Sequence, residues 1–116
     1  MHGLAQYLEV AVEAARCAGA YQRYRFASPL AVDMKGDKNL VTEVDRESER
    51  LIVEQLLERF PGHNIVAEEG EYPQGDSPFR WIIDPLDGTT NYAHGFPWFC
   101  VSIALESAGD VLAGVI

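Results

Sequence analysis

The segment from Trp81 to Asn91 reads Trp-Ile-Ile-Asp-Pro-Leu-Asp-Gly-Thr-Thr-Asn, and it leaves the backbone few choices. Trp81-Ile82-Ile83 is a short run of strand-forming residues, and Asp84-Pro85 should end it because proline has no N–H for a sheet ladder. Asp84 and Asp87 stand across a turn that Pro85 stiffens, so both carboxylates aim at one locus and the Leu86 carbonyl is free to coordinate. Gly88-Thr89-Thr90-Asn91 can then begin a short helix whose unpaired N–H groups face the same place. Such a grouping serves a hard cation and a phosphate better than it serves a plain turn, since Mg²⁺ is commonly held by a few carboxylates together with phosphate oxygens. Glu68 and Asp45 are further carboxylates that could converge on this edge.

Elsewhere helix and strand patterns alternate. Leu4, Leu8, Ala11, Val12, Ala15 and Ala18 recur at helical spacing and predict a helix from about Gly3 to about Tyr24 with an alanine-rich core stripe. Asp33, Lys35, Gly36, Asp37, Lys38 and Asn39 predict a polar loop. Thr42, with Asp45 three residues on, resembles a capping box. A second helix is therefore expected from about Glu43 to about Phe60, stopped by Pro61-Gly62, with Leu51, Ile52, Leu56 and Phe60 inward and Arg46, Arg50 and Glu54 outward. Residues 64–67 read as a strand ending in Glu68-Glu69. Residues 99–105 and 111–116 read as an antiparallel hairpin joined at 107–110.

The net charge of −9 argues against binding a nucleic-acid backbone, which needs clustered Lys and Arg. No apolar run is long enough to span a membrane, and the amino terminus lacks the basic start of a signal peptide, so the expected setting is cytoplasmic with no membrane partner. Cys17 and Cys100 are too few for a disulfide framework or zinc knuckle and are expected to be reduced, partly buried thiols without chemistry. Glu43, Glu47, Glu49, Glu71, Asp76 and Asp110 are expected to be solvated caps. His2 and His63 show no partner, and His94 is expected to be incidental. Phe96, Trp98 and Phe99 are expected to serve core or dimer packing rather than base stacking.

The run from Trp81 through Tyr92 closely resembles the signature of the inositol monophosphatase family. It is joined, in the family's order, by Asn39-Leu40-Val41-Thr42-Glu43-Val44-Asp45 and by Ala67-Glu68-Glu69-Gly70, so the resemblance spans nearly the whole chain. It implies an α/β fold, an α+β layered sandwich like that of inositol monophosphatase and fructose-1,6-bisphosphatase. Residues 1–116 would form a single partial domain, the amino-terminal part, with two helices and a largely antiparallel sheet.

The resemblance also implies a chemistry: hydrolysis of inositol monophosphate or a related small polyol or sugar phosphate, with Mg²⁺ or Mn²⁺ as cofactor. Glu68, Asp84, the Leu86 carbonyl and Asp87 would be the metal ligands, with Glu69 close by. Asp45, Glu68 and Thr89 would be catalytic, the Asp45–Thr89 pair orienting a water for in-line attack without a covalent phosphoenzyme. Gly88, Thr89 and Thr90 would contact the phosphate, while Lys35 and Lys38 receive no role. Relatives acting on fructose bisphosphate, histidinol phosphate or NADP share these motifs, and a non-catalytic metal- or partner-binding protein is the contrasting reading. Family members are commonly homodimers and considerably longer, with a further metal-binding aspartate in a carboxy-terminal Trp-Asp motif. Here Trp81 precedes isoleucine and Trp98 precedes phenylalanine, so the expectation is a fragment with little activity alone.

Overall fold

The computed structural model describes residues 3–26, 37–68, 70 and 72–116. The expectations for His2, Asp33, Lys35, Gly36, Glu69 and Glu71 lie outside the described residues, as does the Lys38 side chain. The elements are α1 (Leu4–Phe26), α2 (Asp37–Arg59), β1 (Asn64–Ala67), β2 (Phe79–Asp87), α3 (Thr89–Ala93), β3 (Cys100–Ser107) and β4 (Asp110–Val115).

The strands form one sheet in the order β1-β2-β3-β4. β1 runs parallel to β2, with Ala67 beside Ile83, whereas β2–β3 and β3–β4 are antiparallel. The largely antiparallel sheet and the two long helices agree with the expected α/β architecture. Helices α1 and α2 pack on each other and on one face of the sheet. Between them and the sheet lies a core that includes Val10, Ala14, Ala18, Ile52, Leu56, Phe60, Ile65, Trp81, Ile83, Ile103 and Leu105. Alternate residues point the other way: Val66 and Ile82, partners across β1 and β2, are 42% and 37% exposed, and no described helix covers them.

Three expectations need correction. The core stripe of α1 consists of Tyr7, Val10, Ala11, Ala14, Ala18 and Gln22, while Leu4 and Leu8 are exposed. Small alanines let α1 approach its neighbours closely, so the contact face is selected by fit rather than by side-chain hydrophobicity. Second, α2 begins at Asp37, so Thr42 lies in the helix interior and is no N-cap. Asp37 through Phe60 contains neither glycine nor proline, and nothing in that stretch interrupts a helix. Third, β2 does not stop at Asp84-Pro85 but continues to Asp87 through a register irregularity between Asp84 and Asp87. The missing proline N–H falls at that irregularity, where the ladder has no bond to lose.

At the Phe79 end of β2, Tyr7, Phe60, His63, Phe79 and Trp81 form an aromatic cluster, with His63 stacked on Phe60 at 5.0 Å and on Phe79 at 4.9 Å. The expectation of a partnerless His63 fails here, because Trp81 Nε1 donates to His63 Nδ1 at 3.0 Å. By strand rise this cluster lies about 26 Å from Asp87. The hairpin turns as expected, at Ala108 (φ 52°) and Gly109 (φ 87°).

Candidate functional site

The carboxylates of interest gather at the opposite end of β2. Asp84 is the last residue in regular register with β3, opposite Ser102, and Asp87 lies opposite Cys100 beyond the irregularity. Glu68 follows directly on β1, so the parallel register of Ala67 with Ile83 brings it level with Asp84. Glu68 and Asp87 are exposed and Asp84 is half-buried. Asp84 Oδ1 is buried and makes no hydrogen bond. Burial first, and the neighbouring Asp87 charge second, push the Asp84 carboxyl above the ordinary carboxylate range, while the Leu86 N–H favours its ionised form. A buried carboxylate oxygen without a donor, facing a second carboxylate, is stabilised by a cation. Among the described residues no three His, Cys, Asp or Glu side chains are already gathered around one point as a cation site. Glu68 shares the edge with the aspartates without joining them in such a cluster.

Cys100, half-buried as expected, lies at this locus. Its Sγ lies 3.8 Å from Asp87 Oδ2, and burial first, then Asp87 and Asp84, raise the thiol above its ordinary value. The cysteines are free as expected, but Cys17 is exposed rather than partly buried.

Gly88 turns the chain from β2 into α3 with φ 94° and ψ 37°. A Cβ there would come within 2.9 Å of the Trp98 carbonyl oxygen. Only glycine meets both the left-handed conformation and this contact. Thr89 and Thr90 then form the first turn of α3, and Tyr92 N donates to Gly88 O at 3.0 Å. Thr90 is exposed, and its carbonyl contacts His94 Nδ1 at 2.7 Å. Asp45 is 4% exposed on α2, which packs against α3. Beneath the turn, Val44, Leu86 and Tyr92 make a second core, flanked by Tyr21, Phe26, Val41 and Phe99. Phe99 is thus packed as expected, whereas Phe96 and Trp98 are 55% and 74% exposed.

Two buried polar residues support the turn, and neither was singled out from the sequence. Gln22 Nε2 donates to Pro85 O at 2.6 Å and to Ser48 Oγ at 3.0 Å, while Tyr92 Oη donates to Gln22 O at 2.9 Å. The signal was present in the spacing: Gln22 extends the series Ala14, Ala18, and Ser48 falls between Val44 and Ile52, each four residues apart on a core face. Glu49 likewise departs from the expected solvated cap, being 2% exposed and accepting from Tyr72 Oη at 2.6 Å. Glu43 fits that expectation better, exposed and paired with Arg25 at 2.8 Å. No helix among the described residues is long and apolar enough to cross a membrane.

Comparison with known proteins bears directly on this arrangement. A sequence profile of the inositol monophosphatase family matches residues 4–116. Inositol monophosphatase 3 of Solanum lycopersicum is 46% identical over 116 residues, covering 96% of this chain and 43% of that protein. A Thermotoga maritima protein named fructose-1,6-bisphosphatase/inositol-1-monophosphatase is 49% identical over 81 residues, covering 70% of this chain and 31% of that protein. Among solved structures, the extragenic suppressor protein SuhB of Bartonella henselae superposes with a TM-score of 0.83 at 40% identity, over 96% of this chain and 43% of that one. The chain spans less than half the length of these relatives.

Proposed function

This chain belongs to the inositol monophosphatase family, and from that premise we propose that it is the amino-terminal part of a Mg²⁺- or Mn²⁺-dependent phosphomonoester hydrolase acting on inositol monophosphate or a related small polyol or sugar phosphate. The observation that carries the proposal is the buried, donorless Asp84 Oδ1 beside Asp87, immediately before the glycine turn into α3.

In this reading Asp84, Asp87, Glu68 and the Leu86 carbonyl hold the metal. When bound, the metal offsets charge on the phosphoryl oxygens and lowers the pKa of a water. Gly88, Thr89 and Thr90 orient the phosphate through backbone N–H groups that have no acceptor within their own helix and through the Thr90 hydroxyl. Thr89 Oγ1 would accept a hydrogen bond from the attacking water while its own hydroxyl proton is donated in a hydrogen bond to an Asp45 carboxylate oxygen. The aspartate thereby fixes which lone pair of the hydroxyl faces the water. Glu68 stands on the same edge as a further carboxylate able to take up the water's proton. The acidic surface rejects phosphate esters unless cations intervene, which ties substrate binding to metal binding. Nucleic acid plays no part as a direct partner in this proposal. A homodimer is the proposed assembly of the full-length form.

The test is hydrolysis by the full-length protein of inositol 1-phosphate and of fructose 1,6-bisphosphate, with Mg²⁺ and after chelation. Phosphate release that requires Mg²⁺ and is lost in Asp87→Asn is the expected result. Release that survives chelation would sink the proposal. The relative rates on the two esters decide between a monophosphatase and the dual activity in the Thermotoga maritima protein's name.

A further inference from the structure

Gln22 places an amide in the protein interior. It sits on the alanine face of α1 and is 1% exposed, against Ser48 at 0%. A buried amide costs stability unless its donors are satisfied, and both Nε2 protons are: one goes to Pro85 O at 2.6 Å and the other to Ser48 Oγ at 3.0 Å. Its backbone carbonyl is also engaged, by Tyr92 Oη at 2.9 Å. One residue of α1 therefore binds α2, β2 and α3 where they meet the Asp84–Asp87 turn.

The bond to Pro85 matters most because of peptide planarity. The Pro85 carbonyl and the Leu86 N–H belong to one rigid unit, so fixing the oxygen fixes the direction of the N–H. That N–H faces the Asp84 carboxylate. The same peptide precedes the Leu86 carbonyl and lies midway between Asp84 and Asp87.

We propose that Gln22 is a positioning residue for the cation site: by holding the Pro85–Leu86 peptide plane from the helix side, it sets the geometry in which the turn presents its oxygens and so sets cation affinity. The proposal rests on the metal-binding reading above. Removing an outer partner that orients ligands typically weakens metal binding by about 10- to 100-fold.

The experiment is calorimetric titration of the full-length protein with MgCl₂, comparing wild type, Gln22→Met and Asn64→Ala. Methionine keeps the length and loses both donors. Asn64 is buried at the far end of β1 and donates to Gly75 O and Ser77 O, so its loss weakens the fold away from the turn. The expected result is a dissociation constant raised about tenfold or more in Gln22→Met and unchanged in Asn64→Ala. An unchanged constant in a folded Gln22→Met overturns the proposal. If Gln22→Met does not fold, the wild-type side-chain amide signals of Gln22 are followed by NMR during the same titration. A shift that saturates with the calorimetric midpoint supports the proposal, and stationary signals overturn it. No Mg²⁺ uptake by the wild type would instead overturn the metal-binding reading itself.

Discussion

Gly88 and Asp84 show how single residues bear opposing demands. At Gly88 the backbone lies in the left-handed region and a Cβ would press on the Trp98 carbonyl at 2.9 Å. Gly88→Ala should therefore lower stability by about 1–3 kcal/mol, measured by urea denaturation. At Asp84 the carboxylate is held in a place that disfavours its charge. Its folded pKa lies above its unfolded value, so this group favours folding below the unfolded pKa and loses that contribution as pH rises through the folded pKa. Asp84→Asn should raise the melting temperature of the metal-free protein at about pH 7, with the gap from wild type closing by about pH 3. Melts in chelator at both pH values check this, and a gap that widens on acidification would reverse the assignment. The same substitution should remove Mg²⁺ binding, so stability and function pull in opposite directions at one side chain.

Among the elements, the β3–β4 hairpin carries local strain that can be relieved. Ala108 occupies φ 52° next to Gly109, the two-residue turn in which asparagine-glycine is favoured. Ala108→Asn should raise stability by about 1 kcal/mol in a denaturant titration. This hairpin was legible in the sequence because two strand-like runs flank the polar, glycine-containing stretch 107–110. The turn that brings Asp84 and Asp87 together ahead of Gly88 was legible for a similar reason, since it is confined to consecutive residues. The face of α1 was not, because Leu4 and Leu8 outrank alanine in hydrophobicity while the close helix contact selects Ala11, Ala14 and Ala18. The start of α2 was obscured because Asp37, Lys38 and Asn39 suit both a turn and a helix's first residues. Gln22, Ser48 and Tyr92 were missed because their roles depend on partners distant in sequence, Gln22 reaching Pro85 from another element entirely.

On the scale of the whole molecule, the sheet has one face under helices and another that leaves Val66 and Ile82 adjacent and exposed. Leu112 and Val111 add exposed apolar surface on β4. The 116-residue chain alone should self-associate with rising concentration, and Val66→Thr with Ile82→Lys should suppress this in sedimentation velocity. A monodisperse monomer at high concentration would contradict the expectation. The parallel joining of β1 to β2 has a different consequence, for the order of assembly. Strands β3 and β4 are joined by a two-residue turn, whereas the parallel strands β1 and β2 need a crossover, whose residues Gly75 and Ser77 are tied to Asn64. The β3–β4 hairpin is the local pairing and closes sooner than the β1–β2 crossover. The edge bearing Glu68 should thus meet Asp84 and Asp87 after the folding barrier has been crossed. Mg²⁺ would then act as a latch on the finished chain, slowing unfolding in stopped-flow measurements while leaving the refolding rate nearly unchanged.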